Sequence, residues 1–442
     1  MGVPGLWQIL LPAAQMCSLT QVATVEGFER DRHGLRTIIL GIDASIWMKK
    51  SQAKFYHPQH AQAGENPELR VLFYHLCYFL CCPITPIFVF DGPAWPAIKC
   101  NTNVIAQAHW LTQRFQEFIS VFGFHSHMVP GEAEAKLVYL NWANMIDAIM
   151  TDDGDALIFG ATCIIRDLNI KKDGDAVTIF TKTAVQTTQD VCLTEGGMLL
   201  IALLSGGDYD MIGLPRCGET IAYKLSCTGL GDSLLDAAQQ LLSSELSMFL
   251  ALWHEQLWDE LSTDKSGFLG CHLSGVACSV HDNFPSTDII HLYARPATSW
   301  SNGGNGPDTS VWLPQMPLVS KLAALCEHSF SWNSQAVASC CIRCLAQIAK
   351  KAFTVTSLQQ HVNNGIVNDP PPALSSFLQI QKPCGCHVFR SCTMAFPPAY
   401  CQVQCTQNAA CAAFTGPAIQ GPRPLYWCPA RTHMSFGFLT GC

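Results

Sequence analysis

Short runs rich in β-branched and aromatic residues recur through the first half of the chain, and each ends on an acid: TIILGID (37–43), PIFVFD (86–91) and IDAIMTDD (146–153). Helical patterns separate them. Over 106–122, Trp110, Leu111, Phe115, Phe118, Ile119 and Phe122 fall at spacings of three and four, the period of one helix face. Pro130-Gly131 opens another helix, EAEAKLVYLNWAN, with acids in the first turn where the helix dipole favours negative charge. Alternation of this kind buries a sheet between helical layers. The predicted class is α/β: a mostly parallel sheet flanked by helices.

Residues 71–90, VLFYHLCYFLCCPITPIFVF, are long and apolar enough to suggest a bilayer span. Pro83 and Pro86 divide the stretch, however, and prolines punctuate elements rather than occupy their middles. A helix followed by a buried strand is expected, with no membrane partner. From about 197 the pattern becomes helical: GMLLIALLSGGDY reads as a buried helix and turn, GLPRCGETIAYKL as a hairpin entering a second helix, and 232–262 as further helix. The organisation expected is therefore 1–125 and 126–225 as two parts of one core, the second carrying the helix-hairpin. A helical C-terminal extension follows over 226–353, with a loop near 296–317, and then a Cys- and Pro-rich tail over 354–442. In the tail periodicity dissolves, and low order is expected.

The acids carry the chemistry. Asp43 and Asp91 each close a predicted strand, Glu132 and Glu134 open a helix, and Asp153 and Asp155 follow a third strand. In open parallel sheets, ligands sit in the crevice beyond the carboxyl ends of the strands. Asp208, in SGGDY, leaves a helix and can join them. A lone Asp at such a position is usually a cap or turn former, so the argument lies in the joint arrangement. Carboxylates ~4 Å apart repel by roughly 4 kcal/mol per pair at an effective dielectric of 20. A cluster of them persists by protonation or by binding divalent cations. Oxygen ligands without His or Cys point to Mg²⁺ or Mn²⁺. Two such ions stabilise the attacking and leaving oxygens of an in-line phosphoryl displacement, which implies phosphodiester hydrolysis.

MGVPGLW, GIDASIW, IFVFDG, PGEAEAKL, TDDGDALIFG and LLSGGDY followed by GLPRCG, in that order over about 1–225, resemble the N- and I-regions of the XPG/flap-endonuclease family. The resemblance implies a PIN-like core, two Mg²⁺ ions (with Mn²⁺ as a substitute) and structure-specific incision of branched or flapped DNA. DGPAWP and SGGDYDMIGLP lean toward the Holliday-junction-resolvase-like branch. By the same resemblance, Asp91, Glu134, Asp153 and Asp155 match the closest metal ligands. Asp43, Glu132 and Asp208 match the outer carboxylates that hold the ions through water, and Asp43 and Asp208 count with Lys99 as the catalytic set. Lys99 resembles the cation that steadies the scissile phosphate. Gly2 matches an N-terminal glycine whose backbone lies near DNA. Gly213 through Gly218 matches a hairpin that grips duplex backbone with the help of a K⁺ ion. Nuclear localisation and a homodimer on four-way junctions follow from the resemblance alone.

The chain also departs from that family. Net charge is −8, from 26 Lys+Arg against 34 Asp+Glu, whereas nucleic-acid binders usually carry a basic surplus. After Lys99 no basic residue appears until Arg114, and Glu219-Thr220-Ile221 stands where relatives usually place a Lys. Each phosphate neutralised contributes about 0.9 to the salt slope of binding, so weaker and less salt-dependent DNA binding is expected. An alternative function follows: a catalytically weakened homologue that binds branched DNA or a protein. Trp47, just after Asp43, is the aromatic best placed to stack on a base, with core packing as its other reading. Zinc-knuckle spacing appears in Cys341-x₂-Cys344 and Cys401-x₃-Cys405, and the start MGVPGLWQIL lacks the pattern of a secretory signal.

Overall fold

The structure, a computed structural model, describes residues 2–53, 64–80, 82–92, 98–99, 102–103, 109–166, 168, 175–281, 283–298 and 307–332, with the short strands 378–380 and 392–394. The expected tail over 354–442 otherwise lies outside the described residues, as do its cysteines apart from Cys392.

Seven strands make one sheet: β1 (Gln15–Ser18), β2 (Ile38–Asp43), β3 (Ile84–Phe90), β4 (His125–Met128), β5 (Ala148–Met150), β6 (Cys163–Arg166) and β7 (Ala176–Thr181). Their order is β1-β7-β6-β5-β2-β3-β4. The five strands from β6 to β4 run parallel, while β7 is antiparallel to both β6 and β1. The sheet is thus mostly parallel, with an antiparallel margin. In β2, Ile38, Leu40 and Ile42 join one apolar cluster and Ile39 the other; in β3, Phe88 and Phe90 face the first, Ile87 and Val89 the second. Both faces are covered, so these strands are apolar almost throughout instead of alternating with polar residues. Gly41 lacks a side chain where one would run into Leu137 and Ile146, which lets the Ala133–Trp142 helix lie close against β2.

The 71–90 stretch divides into a Pro67–Phe79 helix and β3, and among the described residues no helix is long and apolar enough to cross a membrane. Pro86 corrects one expectation: it lies inside β3, paired with Leu40 of β2. It is tolerated because β4 begins to pair only at Ile87, so the missing N–H falls before the second ladder starts.

The Glu195–Ser205 helix is buried along most of its length, with the Glu219–Ser226 and Leu230–Gln240 helices packed against it. Helices Ser243–Thr263, Thr287–Ala294 and Val319–Phe330 follow. The last returns to the front of the chain: Phe330 stacks on Phe118 at 5.6 Å and meets Phe73 edge-on at 5.7 Å.

Candidate metal centre

Each acid reaches the carboxyl edge of the sheet by its own route. Asp43 is the last residue of β2, and its Oδ1 accepts the amides of Ser45 and Ile46 at 2.9 and 3.1 Å, starting the next helix. Asp91 follows β3. Its Oδ1 accepts the Ala133 amide at 2.9 Å and so supplies a cap to a helix from another segment. Gly92 makes this approach possible, since a Cβ there would strike the Val129 carbonyl, and its own amide donates to Gly131 at 2.9 Å. Glu132 is the N-cap of that helix in extended conformation, and Glu134 lies in its first turn. Asp153 and Asp155 follow β5, and the Asp155 amide donates to Asp153 Oδ1 at 3.1 Å. Asp208 leaves the Glu195–Ser205 helix, and its Oδ1 accepts the Gly2 amide at 3.0 Å.

The convergence is tight. Ligand oxygens of Asp153, Asp155 and Asp208 all lie within 4.8 Å of one another, and all three residues are buried. Asp43, Glu132 and Glu134 are buried as well. Burial first, then the charges of Asp91 and Asp153, push the Asp43 carboxyl well above the usual carboxylate range. The donor set suits hard divalent cations: it is all oxygen, and the charges of Asp91 and Asp153 raise the proton affinity of Asp43 in a way that a bound cation would relieve.

Gly2 sits over this cluster. Its φ is +80°, and a Cβ would lie 2.5 Å from Asp153 Oδ1, 2.9 Å from the Gly154 amide and 3.0 Å from Asp155 Oδ1. Gly213 has φ +60° and would press a Cβ to within 2.5 Å of the Leu204 carbonyl, whereas Gly218, the N-cap of the Glu219–Ser226 helix, faces open space. Glu219 packs against Gly5, so an acid stands at the hairpin. Lys99 lies on a two-residue strand, Ile98–Lys99, paired with Thr102–Asn103. Trp47 takes its core reading: it is 9% exposed and packs on His75, Phe79 and Phe88 at 5.0, 5.5 and 5.8 Å, so its ring is no platform for a base.

Two features escaped the sequence reading. Asp152, beside the cluster, is paired with Lys50 and lies 3.7 Å from Arg166, whose guanidinium stacks 3.8 Å above the Trp7 ring. Tyr209 donates its hydroxyl to Glu132 Oε2, and burial followed by the charges of Glu132 and Asp155 holds that phenol protonated well above its ordinary range. The residue was visible in SGGDY, but its partner lies far away in sequence.

The sequence matches the XPG N-terminal domain over residues 1–109 and the XPG I-region over 123–208. The chain carries the XPG N-terminal domain and the XPG I-region. All seven candidate acids fall within those two segments. Among XPG-type relatives, the mouse flap endonuclease GEN homolog 1 is 27% identical over 258 residues, 54% of this chain and 26% of that protein. The match thus spans about a quarter of the relative's length. A structure of the Holliday junction-resolving enzyme GEN1 in complex with product DNA and a Mg²⁺ ion has a TM-score of 0.62 at 27% identity, covering 82% of this chain and 81% of that one. The eukaryotic junction-resolving enzyme GEN-1 binding potassium gives 0.60 at 27% identity, covering 79% and 77%. The expected PIN-like nuclease fold is the fold present.

Proposed function

We propose that this chain is a Mg²⁺-dependent, structure-specific DNA endonuclease that hydrolyses phosphodiester bonds at flaps or four-way junctions. The observation that carries the reading is the gathering of Asp153, Asp155 and Asp208 oxygens within 4.8 Å at the carboxyl edge of a parallel sheet. Asp91, Glu134, Asp153 and Asp155 would hold two Mg²⁺ ions, or Mn²⁺ in their place, and Asp43, Glu132 and Asp208 would orient water around them. When bound, the ions supply a nucleophilic water and charge stabilisation at the phosphate. The chain's own part is positional. Gly2 leaves the roof of the cluster thin enough for a phosphate to approach, and Lys99 would steady that phosphate electrostatically. The Gly213–Gly218 hairpin would hold duplex backbone through main-chain groups and a K⁺ ion. Nuclear residence and pairing of two copies on a four-way junction belong to the same reading, as does a division at 125, 225 and 353.

A second reading, a branched-DNA or protein binding module with weakened turnover, is favoured by Glu219 at the hairpin and by the pairing of Lys50 with Asp152. The test is cleavage of a 5′-flap and a four-way junction by the full chain with Mg²⁺ and with EDTA. Metal-dependent nicking that Asp153→Ala abolishes supports the enzyme. Binding without nicking supports the module, and nicking unchanged in Asp153→Ala refutes the assignment of the centre.

A further inference from the structure

We propose that Tyr209, braced by Tyr293 of the helical extension, is a positioning residue for the metal centre and acts by holding the Glu132 carboxylate. The inference rests on reading the acid cluster as an ion site.

Glu132 is the N-cap of the Ala133–Trp142 helix, yet its side chain makes no capping bond to that helix. Capping therefore does not orient its carboxylate. The Tyr209 hydroxyl donates to one oxygen, Oε2, and so fixes the direction of the carboxylate. Tyr209 directly follows Asp208, so a single turn presents both a ligand of the cluster and the hook that orients a second one. The turn is itself backed. Tyr293, buried at 3% exposure, meets the Tyr209 ring edge-on at 4.7 Å. On the other side of Asp208, the Tyr293 hydroxyl lies 2.5 Å from where a Cβ on Gly207 would be. Phe159 closes the stack with its ring 6.2 Å from that of Tyr293. Tyr293 therefore touches the residues flanking Asp208, and it comes from the Thr287–Ala294 helix, well beyond residue 208 where the XPG I-region match ends. A segment outside the matched core thus sets the geometry of the ion site within it.

Groups that orient metal ligands commonly change affinity by about 10- to 100-fold when removed. The experiment titrates Mn²⁺ alone into the DNA-free full chain, read by EPR and calorimetry. Tyr209→Phe keeps the ring and removes the hydroxyl, and should weaken Mn²⁺ binding about tenfold. In a Glu132→Gln background the same substitution should have no further effect, because the coupling runs through that carboxylate. Tyr293→Leu should weaken binding several-fold. Binding by Tyr209→Phe within twofold of the unsubstituted chain would overturn the proposal, as would an equal loss in the Glu132→Gln background. Should Tyr209→Phe not fold, Tyr293→Leu decides alone: undiminished Mn²⁺ affinity overturns the brace. If the unsubstituted chain takes up no Mn²⁺, the ion-site reading itself falls and this inference with it. If it takes up Mn²⁺ and nicks DNA while Tyr209→Phe matches it, only the positioning role is lost.

Discussion

Replacing Gly2 by Ala adds one methyl group at the most crowded point of the metal centre. At φ +80° an Ala carries strain of roughly 1–2 kcal/mol that Gly does not. The new Cβ would also stand 2.5 Å from Asp153 Oδ1 and 2.9 Å from the Gly154 amide, well inside contact distance. Two responses are open to the chain. The arm could peel away, but Val3, Leu6 and Leu10 are buried, and each anchors it by roughly 1.5–3 kcal/mol. Local displacement is cheaper, and it stretches the 3.0 Å bond from the Gly2 amide to Asp208 and pushes Asp153 and Asp155 apart. A hydrogen bond to a charged group is worth about 1.5–3 kcal/mol, so partial loss together with the strain places the effect near 2–3 kcal/mol. At about 1.4 kcal/mol per decade, Mn²⁺ affinity should fall between ~30- and ~150-fold. Calorimetric titration of Mn²⁺ checks the affinity, and a thermal melt in EDTA that stays cooperative shows that the fold survives. Unaltered Mn²⁺ affinity in Gly2→Ala would mean that the arm does not crowd the acids, and the steric reasoning would be wrong.

Other substitutions probe other links. Gly92→Ala should destabilise the fold by more than ~2 kcal/mol, since a cramped backbone must open and the Asp91–Ala133 cap goes with it; urea denaturation measures this. Arg216 holds φ +70° in the hairpin, so Arg216→Gly should be neutral to stabilising, by up to ~1 kcal/mol, on the same assay. Lys136 is wholly buried, and burial lowers its pKa from 10.5 to about 7. Between those values the folded chain binds fewer protons than the unfolded chain, so stability from this group rises with pH across that window. Lys136→Met should therefore stabilise more at pH 6 than at pH 9, by ~1 kcal/mol or more, in EDTA; an equal gain at both values would show that Lys136 does not titrate as a buried cation.

The strands that carry acids were legible because they are apolar on both faces and end abruptly on Asp43, Asp91 and the Asp153 loop. The strand His125–Met128 was not, because at the sheet margin it pairs on one side only and needs little apolar character. Gln15–Ser18, half exposed and polar, hid for the same reason. Pro86 misled because the rule against proline in a strand assumes neighbours on both sides along its whole length. The meeting of Asp153, Asp155 and Asp208 was readable from their places at element ends, whereas the Tyr209–Glu132 bond was not: adjacency to Asp208 is local, but the partner is set by tertiary packing. Trp47 showed the reverse limit, since an aromatic near a candidate ligand looks the same in sequence whether its ring faces solvent or Phe88.

The contact between Phe330 and the pair Phe73 and Phe118 makes assembly a late event. A chain emerging from the ribosome exposes the apolar faces of the Pro67–Phe79 and Thr112–Val121 helices long before the helix that covers them is synthesised. Such long-range closure slows folding and leaves sticky surface uncovered meanwhile. Nascent chains cut short before Val319 should therefore depend on chaperones and aggregate at temperatures the complete chain withstands.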